Sequence, residues 1–302
     1  METPLDDRAF LAALPAETRA ALTARADAPG LARLALHLGL ILGFGLWIGA
    51  AAPLWPLLIV PQGVLIVFLF TLLHETVHET PFRTPLLNRW SGRLAGVAIG
   101  LPPEWFRWFH LAHHRFTQDT ARDPELAEPP PRSLAGWAWK VSGLPVWASH
   151  ARTLAQNAAG RCEDAFVPTR ARLHAAREAR AMLALYALAL AAFAAGAHWF
   201  FWCWWLPALC GQPFLRLYLM AEHGRCPMVA DMFANTRTTF TAGLVRLFAW
   251  NMPFHAEHHA FPSVPFHRLP ALHALARPHL KETERGYLRF QRKLLAALRA
   301  GG

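Results

Sequence analysis

The sequence predicts an all-α integral membrane protein: four transmembrane helices in two hairpins, with a cytosolic helical cap that gathers clustered histidines. Three observations predict it. The 302 residues are 54% hydrophobic but only 17% charged, against roughly 25% charged for an ordinary soluble domain. Asp, Glu, Lys and Arg are absent from the 41 residues between Arg33 and Glu75 and from the 35 between Arg180 and Arg216. A bilayer core of roughly 30 Å takes about 20 helical residues per crossing, so each stretch has room for two spans. Finally, none of the 30 Lys and Arg residues lies inside either stretch. The outer turns therefore lack positive charge, and the positive-inside rule puts Met1–Arg33, Arg83–Arg180 and everything from Arg216 onward in the cytoplasm.

Residues 1–33 read as short cytosolic or interfacial helices punctuated by Pro4, Pro15 and Pro29. Spans are predicted over about 34–52 and 57–79, with Pro53 and Pro56 at the turn and Pro81 as the stop. Leu94–Leu101 is apolar but too short to cross, and Glu104–Phe116 mixes aromatic and polar residues as an interfacial segment does. An Asp-, Glu- and Pro-rich loop over 119–133 and further cytosolic helices over 134–180 complete the cap. The second hairpin is predicted over about 181–196 and 199–220, followed by a short apolar stretch from Thr239 to Trp250. Residues 34–275 form one membrane domain, and 276–302 a basic amphipathic cytosolic helix.

The net charge of +10 is assigned to anchoring against anionic headgroups. No nucleic-acid-binding module accompanies it, so a nucleic-acid partner is excluded. Cys162, Cys203, Cys210 and Cys226 show no C-x-x-C pairing, and neither a disulfide framework nor a zinc ribbon is indicated. The acidic and polar start of the chain is unlike a cleavable signal peptide.

Of 16 histidines, eight fall into three clusters: His74 and His78 in HETVH, His110, His113 and His114 in HLAHH, and His255, His258 and His259 in HAEHH. Spacings of three and four return to one helix face, so each cluster aims its imidazoles together, as a metal site requires. Imidazole alone does not choose among iron, zinc, copper and nickel. The predicted topology brings all three clusters to the cytosolic membrane surface. His223, in AEHG at the end of the fourth span, occupies the position in the second hairpin that His74 and His78 hold in the first. On its own it reads equally as a ligand and as a capped helix end. His37, His150, His174, His198, His267, His273 and His279 read as ordinary core or surface residues.

HETVH also matches H-E-x-x-H, the zinc motif of metalloproteases with Glu as general base, which would make an intramembrane zinc protease. Catalytic zinc takes three protein ligands and a water, and that reading leaves six clustered histidines unused.

These three boxes, in this order and between these hairpins, resemble those of the integral-membrane fatty acid desaturases and their hydroxylase and ketolase relatives. HHRFTQDTARDPEL after the second box and NMPFHAEHHAFPSVPFHRLP around the third are similar as well, and the resemblance covers about residues 34–275. It implies a non-haem di-iron centre that activates O2 against an unactivated C–H bond of a fatty acyl or related lipid chain, giving a double bond or, alternatively, a hydroxyl or keto group. The ligands it implies are His74, His78, His110, His113, His114, His255, His258 and His259, with His223 as a ninth. Some relatives carry an Asn or Gln four residues before the last of these; here that residue is Leu219. Glu75, Glu222, Glu257, Asp119, Asp123 and Asn251 are candidates to support the ligands from behind, since metal-bound imidazole usually donates its other N–H to a carboxylate or carbonyl. No fused electron-transfer module is visible, so two electrons per turnover must come from an external donor such as a ferredoxin with its reductase. The basic cytosolic face offers such a carrier an electrostatic dock.

Overall fold

The computed structural model describes residues 4–300, and the chain is predominantly helical. Helices α1 (Asp7–Ala13) and α2 (Ala16–Thr23) lead into α3 (Asp27–Gly49). The α1 start is capped by the Asp6 carboxylate, which accepts the Ala9 N–H at 2.7 Å. Helix α3 begins well before the predicted span at 34 because its charged first residue is paired: Asp27 accepts the Thr84 N–H and hydroxyl at 2.9 and 2.8 Å. A 3-10 turn at Trp55–Leu58 reverses the chain into α4 (Ile59–Val77).

Helices α5 (Pro85–Ile99) and α6 (Pro103–Phe116) each start on a proline, whose fixed φ suits a first helical position. Gly100, at φ +72°, ends α5 in the left-handed region. The cap continues with α7 (Leu134–Val141) and α8 (Leu144–Ala158). Helix α9 (Thr169–Ala194) starts twelve residues before the predicted span at 181. Its charged first half still helps build the core, because Ala171, Ala175 and Ala179 form a buried stripe at four-residue spacing. A π-turn at Phe201–Trp205 precedes α10 (Leu206–His223).

Helix α11 (Met232–Asn235), strand β1 (Thr238–Thr239), α12 (Gly243–Phe248), α13 (His255–Ala260) and α14 (Leu269–Ala276) follow. The tail differs from the single predicted helix. Pro278 interrupts it, strand β2 (Thr283–Glu284) pairs in parallel with β1, and α15 (Tyr287–Arg299) starts after Gly286 at φ +97°.

Among the described residues, two helical stretches are long and apolar enough to cross a membrane: Ala16–Gly49, which joins α2 to α3, and Trp55–Val77, which ends in α4. Helices α4 and α10 run side by side toward the same end of the molecule. They approach so closely that a Cβ on Gly63 would lie 1.9 Å from the Pro207 carbonyl oxygen, and one on Gly211 would lie 2.2 Å from Gly63. Small residues let two helix backbones approach this closely, a packing common between membrane helices. Two apolar clusters flank α4. Phe68, Leu215, Phe233 and Met252 belong to one, and Leu69, Leu72, Phe106, Trp250 and Phe266 to the other.

Candidate metal centre

His74 lies in the last turn of α4 and His78 caps that helix. His110, His113 and His114 occupy the C-terminal half of α6, His223 ends α10, and His255, His258 and His259 make up half of α13. Four elements thus deliver nine imidazoles to one place, in two adjacent groups. The nitrogens of His74, His78, His110, His114 and His258 lie within 4.8 Å of one another, and so do those of His113, His223 and His259. His255 joins the second group, its Nε2 3.1 Å from that of His223.

The sorting follows helical geometry. On α4, His74 and His78 stand four residues apart and stay together. On α6, His110 and His114 do the same while His113 turns to the other group; on α13, His255 and His259 pair while His258 crosses over. Residues at i and i+4 differ by only about 40° around a helix, whereas i+3 falls about 60° to the other side. Each H-x-x-H-H box therefore serves both groups.

Within the four-imidazole group the outer ring nitrogens of three members are engaged, and that of His255 is not. His113 Nδ1 donates to Asp123 Oδ1 at 2.9 Å, His223 Nδ1 to the Asn235 carbonyl at 3.3 Å, and His259 Nδ1 to Thr117 Oγ1 at 3.2 Å. These bonds fix the tautomer and leave Nε2 with a free lone pair. The Nε2 atoms converge: that of His223 lies 3.2 Å from His113 and 3.1 Å from His255. In the five-imidazole group Nε2 atoms also meet, at 2.7 Å for His74 and His258 and 3.0 Å for His78 and His110. Here the backing is looser: Glu75 Oε1 stands 3.8 Å from His258 Nδ1, too far for a hydrogen bond.

Both nitrogens of His114, Nδ1 of His255 and His258 and Nε2 of His259 are buried without a hydrogen-bond partner. Each orphaned group costs about 1–3 kcal/mol. Burial, and then the neighbouring imidazoles, hold His110, His114, His255, His258 and His259 well below the usual imidazole pKa. Burial lowers His113 too, but Glu125 and Asp123 outweigh it and leave its pKa raised. A cage of largely buried imidazoles with inward lone pairs fits transition-metal ions, and nitrogen donors of this type suit iron as well as zinc, copper or nickel.

The carboxylates divide. Asp123 contacts His113 and also accepts the Gln118 N–H at 2.8 Å. Glu222 Oε1 lies 3.6 Å from His255 Nδ1. Glu257 faces the back of α13, where the Thr238 hydroxyl and the His273 ring bond to it. Asp119 pairs with Arg122 on the surface. Asn251, at φ +60°, donates to the Phe266 carbonyl at 2.9 Å and shapes the turn before α13. Glu75 Oε2 accepts from Thr80 Oγ1 at 2.9 Å and from the Phe266 N–H at 3.2 Å, and its Oε1 has no hydrogen-bond partner. Thr117, Gln118, Asn235 and His273 also join the support; Thr117 and Gln118 lie in the family-like stretch after the second box, whereas no sequence pattern marks Asn235 or His273.

The family model for fatty acid desaturases matches residues 50–291. This chain belongs to the fatty acid desaturase family. A sphingolipid delta(4)-desaturase/C4-monooxygenase of Mus musculus is 26% identical over 191 residues, which cover 63% of this desaturase-family chain and 54% of that protein. The chain thus spans about half the length of the curated relative it matches. Family membership agrees with the resemblance of the three histidine boxes.

Proposed function

We propose that this protein is a multi-pass membrane enzyme whose nine clustered histidines hold two iron ions, and that it uses O2 and two external electrons to introduce a double bond into a lipid chain. The observation that carries the reading is the convergence of nine imidazoles, six buried and three half-buried, several without any other partner, in a chain of the desaturase family. His74, His78, His110, His114 and His258 would hold one iron, and His113, His223, His255 and His259 the other; the pair would supply an oxidant strong enough for an unactivated C–H bond.

The chain's own residues bind, orient and exclude water. Helices α4 and α10 carry His74 and His223 to the same level, and their glycine contact sets the distance between them. Asp123, Asn235 and Thr117 hold three rings with Nε2 inward. Burial of both groups keeps bulk water from the reacting chain, which favours a single outcome at the substrate radical. The electron balance is simple: O2 takes two electrons and two protons from outside, and two hydrogens from the substrate, giving two waters and an alkene. Transfer of one oxygen to carbon is the second reading. It is favoured by the mouse relative, whose name carries both a desaturase and a monooxygenase activity.

The proposed topology has four spans, with both termini, residues 83–180 and the histidines on the cytoplasmic side. It rests on the absence of Lys and Arg from the two uncharged stretches. A Cys introduced at the exposed Thr120 should resist an impermeant thiol reagent applied to intact cells; labelling from outside overturns the arrangement.

Mass spectrometry of cell lipids with and without expression tests the reaction. The expected product lacks two hydrogens, and protein purified without chelators carries close to two irons per chain. A gain of one oxygen points to the hydroxylase reading, and a zinc-only protein with no lipid product overturns both.

A further inference from the structure

We infer that the face of α6 opposite the histidines carries a binding site for a soluble, phosphate-bearing small molecule. A cleft of about 500 Å³ opens there between α6, the loop after Asp119 and the start of α9. That volume lies in the range of small-ligand sites, roughly 300–1,000 Å³. Arg115, Arg122 and Arg170 line it together with Trp108, Phe116 and Phe166, and no Asp or Glu is among the lining residues.

The three guanidiniums are held on aromatic faces. Arg115 and Arg122 lie 5.3 and 4.4 Å from the centre of the Phe116 ring, and Arg170 lies 5.6 Å from that of Trp108. Stacking of this kind fixes side chains that would otherwise swing freely in water. Only Arg122 has a carboxylate partner among the described residues, Asp119 at 2.6 Å. The cleft is therefore a cationic concavity with two unpaired charges. The N-terminus of α9 adds to it: Pro168 at the N-cap provides no side-chain bond, so the positive end of a 26-residue helix dipole stays available to an anion.

Guanidinium presents a planar fork that matches phosphate oxygens two at a time. Three forks around one small hollow suit a phosphate or pyrophosphate better than a single carboxylate. The location separates this ligand from the lipid substrate. Trp108, Leu111, Ala112 and Arg115 look away from His110, His113 and His114, so the thickness of a helix, about 10 Å, lies between the cleft and the metal centre. It also separates the ligand from membrane headgroups. On the topology proposed above, on which this point rests, the uncharged part of α9 begins at Ala181. Helical rise then puts Arg170 about 16 Å below the membrane surface. Because α6 carries three of the nine clustered histidines, an anion bound behind it would stiffen the helix that both metal groups share.

Equilibrium dialysis of radiolabelled pyrophosphate against the purified full-length protein in neutral detergent, at constant ionic strength, tests the site without reference to catalysis. Saturable binding near one equivalent is expected. Arg115→Gln with Arg170→Gln should weaken it by about tenfold or more, while Arg19→Gln, on the exposed side of α2, should leave it unchanged. Equal binding by the double variant and the parent overturns the proposal, as does uptake that never saturates. Two further arms identify other occupants. If the double variant loses only its association with phosphatidylserine vesicles, the cations serve a membrane surface and the proposal fails. If it loses only electron uptake from an acidic carrier protein, the cleft is a protein dock and the proposal fails too. Because dialysis needs no turnover, absence of a lipid product would count against the proposed enzyme and leave this site standing.

Discussion

The two imidazole groups share α6 and α13 but are supported differently. In the four-membered group, Asp123, Asn235 and Thr117 take the outer nitrogens of His113, His223 and His259. In the five-membered group, His114 has neither nitrogen bonded and the outer nitrogen of His258 is unpaired. In one group three of the four rings are held by directed hydrogen bonds, His255 being the exception; the other group relies on packing and on the number of its members. A fifth imidazole can substitute for an orienting bond because it limits how far any one ring can turn. A four-membered group has no such redundancy, and an ion held there would have one protein donor fewer.

The largest test of this contrast removes one member from each group. His114→Ala and His259→Ala should each lower iron from about two equivalents toward one by elemental analysis and abolish the lipid product, while His174→Ala, on the exposed surface of α9, should change neither. Full activity in both box variants would break the proposed centre altogether.

Removing a supporting bond should have a smaller and unequal effect. Asp123→Asn replaces the acceptor behind His113 and should weaken iron retention against a chelator by about 10–100-fold. Glu75→Gln should do much less, since its 3.8 Å separation from His258 is not a hydrogen bond. Equal losses would mean that the two groups are backed alike.

The smallest effect is one of pH. His110, His114, His255, His258 and His259 have folded pKa values below the unfolded one. The stability these groups contribute is therefore complete above about pH 6.5 and is lost as acid protonates the unfolded chain first. His113, with a raised pKa, has the opposite sign and offsets a small part. The metal-free protein should show a thermal midpoint that is flat at neutral pH and falls below about pH 6.5. A midpoint rising in acid would contradict the burial of these rings.

Much of the centre was legible because helical spacing is local. Four-residue separations identify the histidines that share a face, and their division into five and four follows from the same rule once it is applied inside each H-x-x-H-H box. The supports were less legible. Asp123 stands out as an acidic residue near a box, but Thr117, Asn235 and His273 reach their partners only through tertiary contacts. Glu257 and Asn251 sit beside ligands in sequence yet spend their bonds on Thr238, His273 and Phe266, since neighbours on a short helix point in different directions. The fold shows the same pattern. Hydropathy locates α4 closely, but it misses the first half of α9, whose buried stripe is alanine set among arginines, and the β1–β2 pair, which joins residues more than forty positions apart.

The glycine contact between α4 and α10 has a mechanical consequence. Gly63 and Gly211 lie eleven and twelve residues before His74 and His223, so the helices resemble the two legs of a compass joined at the glycines, each about 17 Å long by helical rise. For legs of that length, every degree of opening at the joint moves the tips apart by about 0.3 Å. A methyl group added at either glycine would therefore act at a distance, widening the gap between the imidazole groups without touching either one.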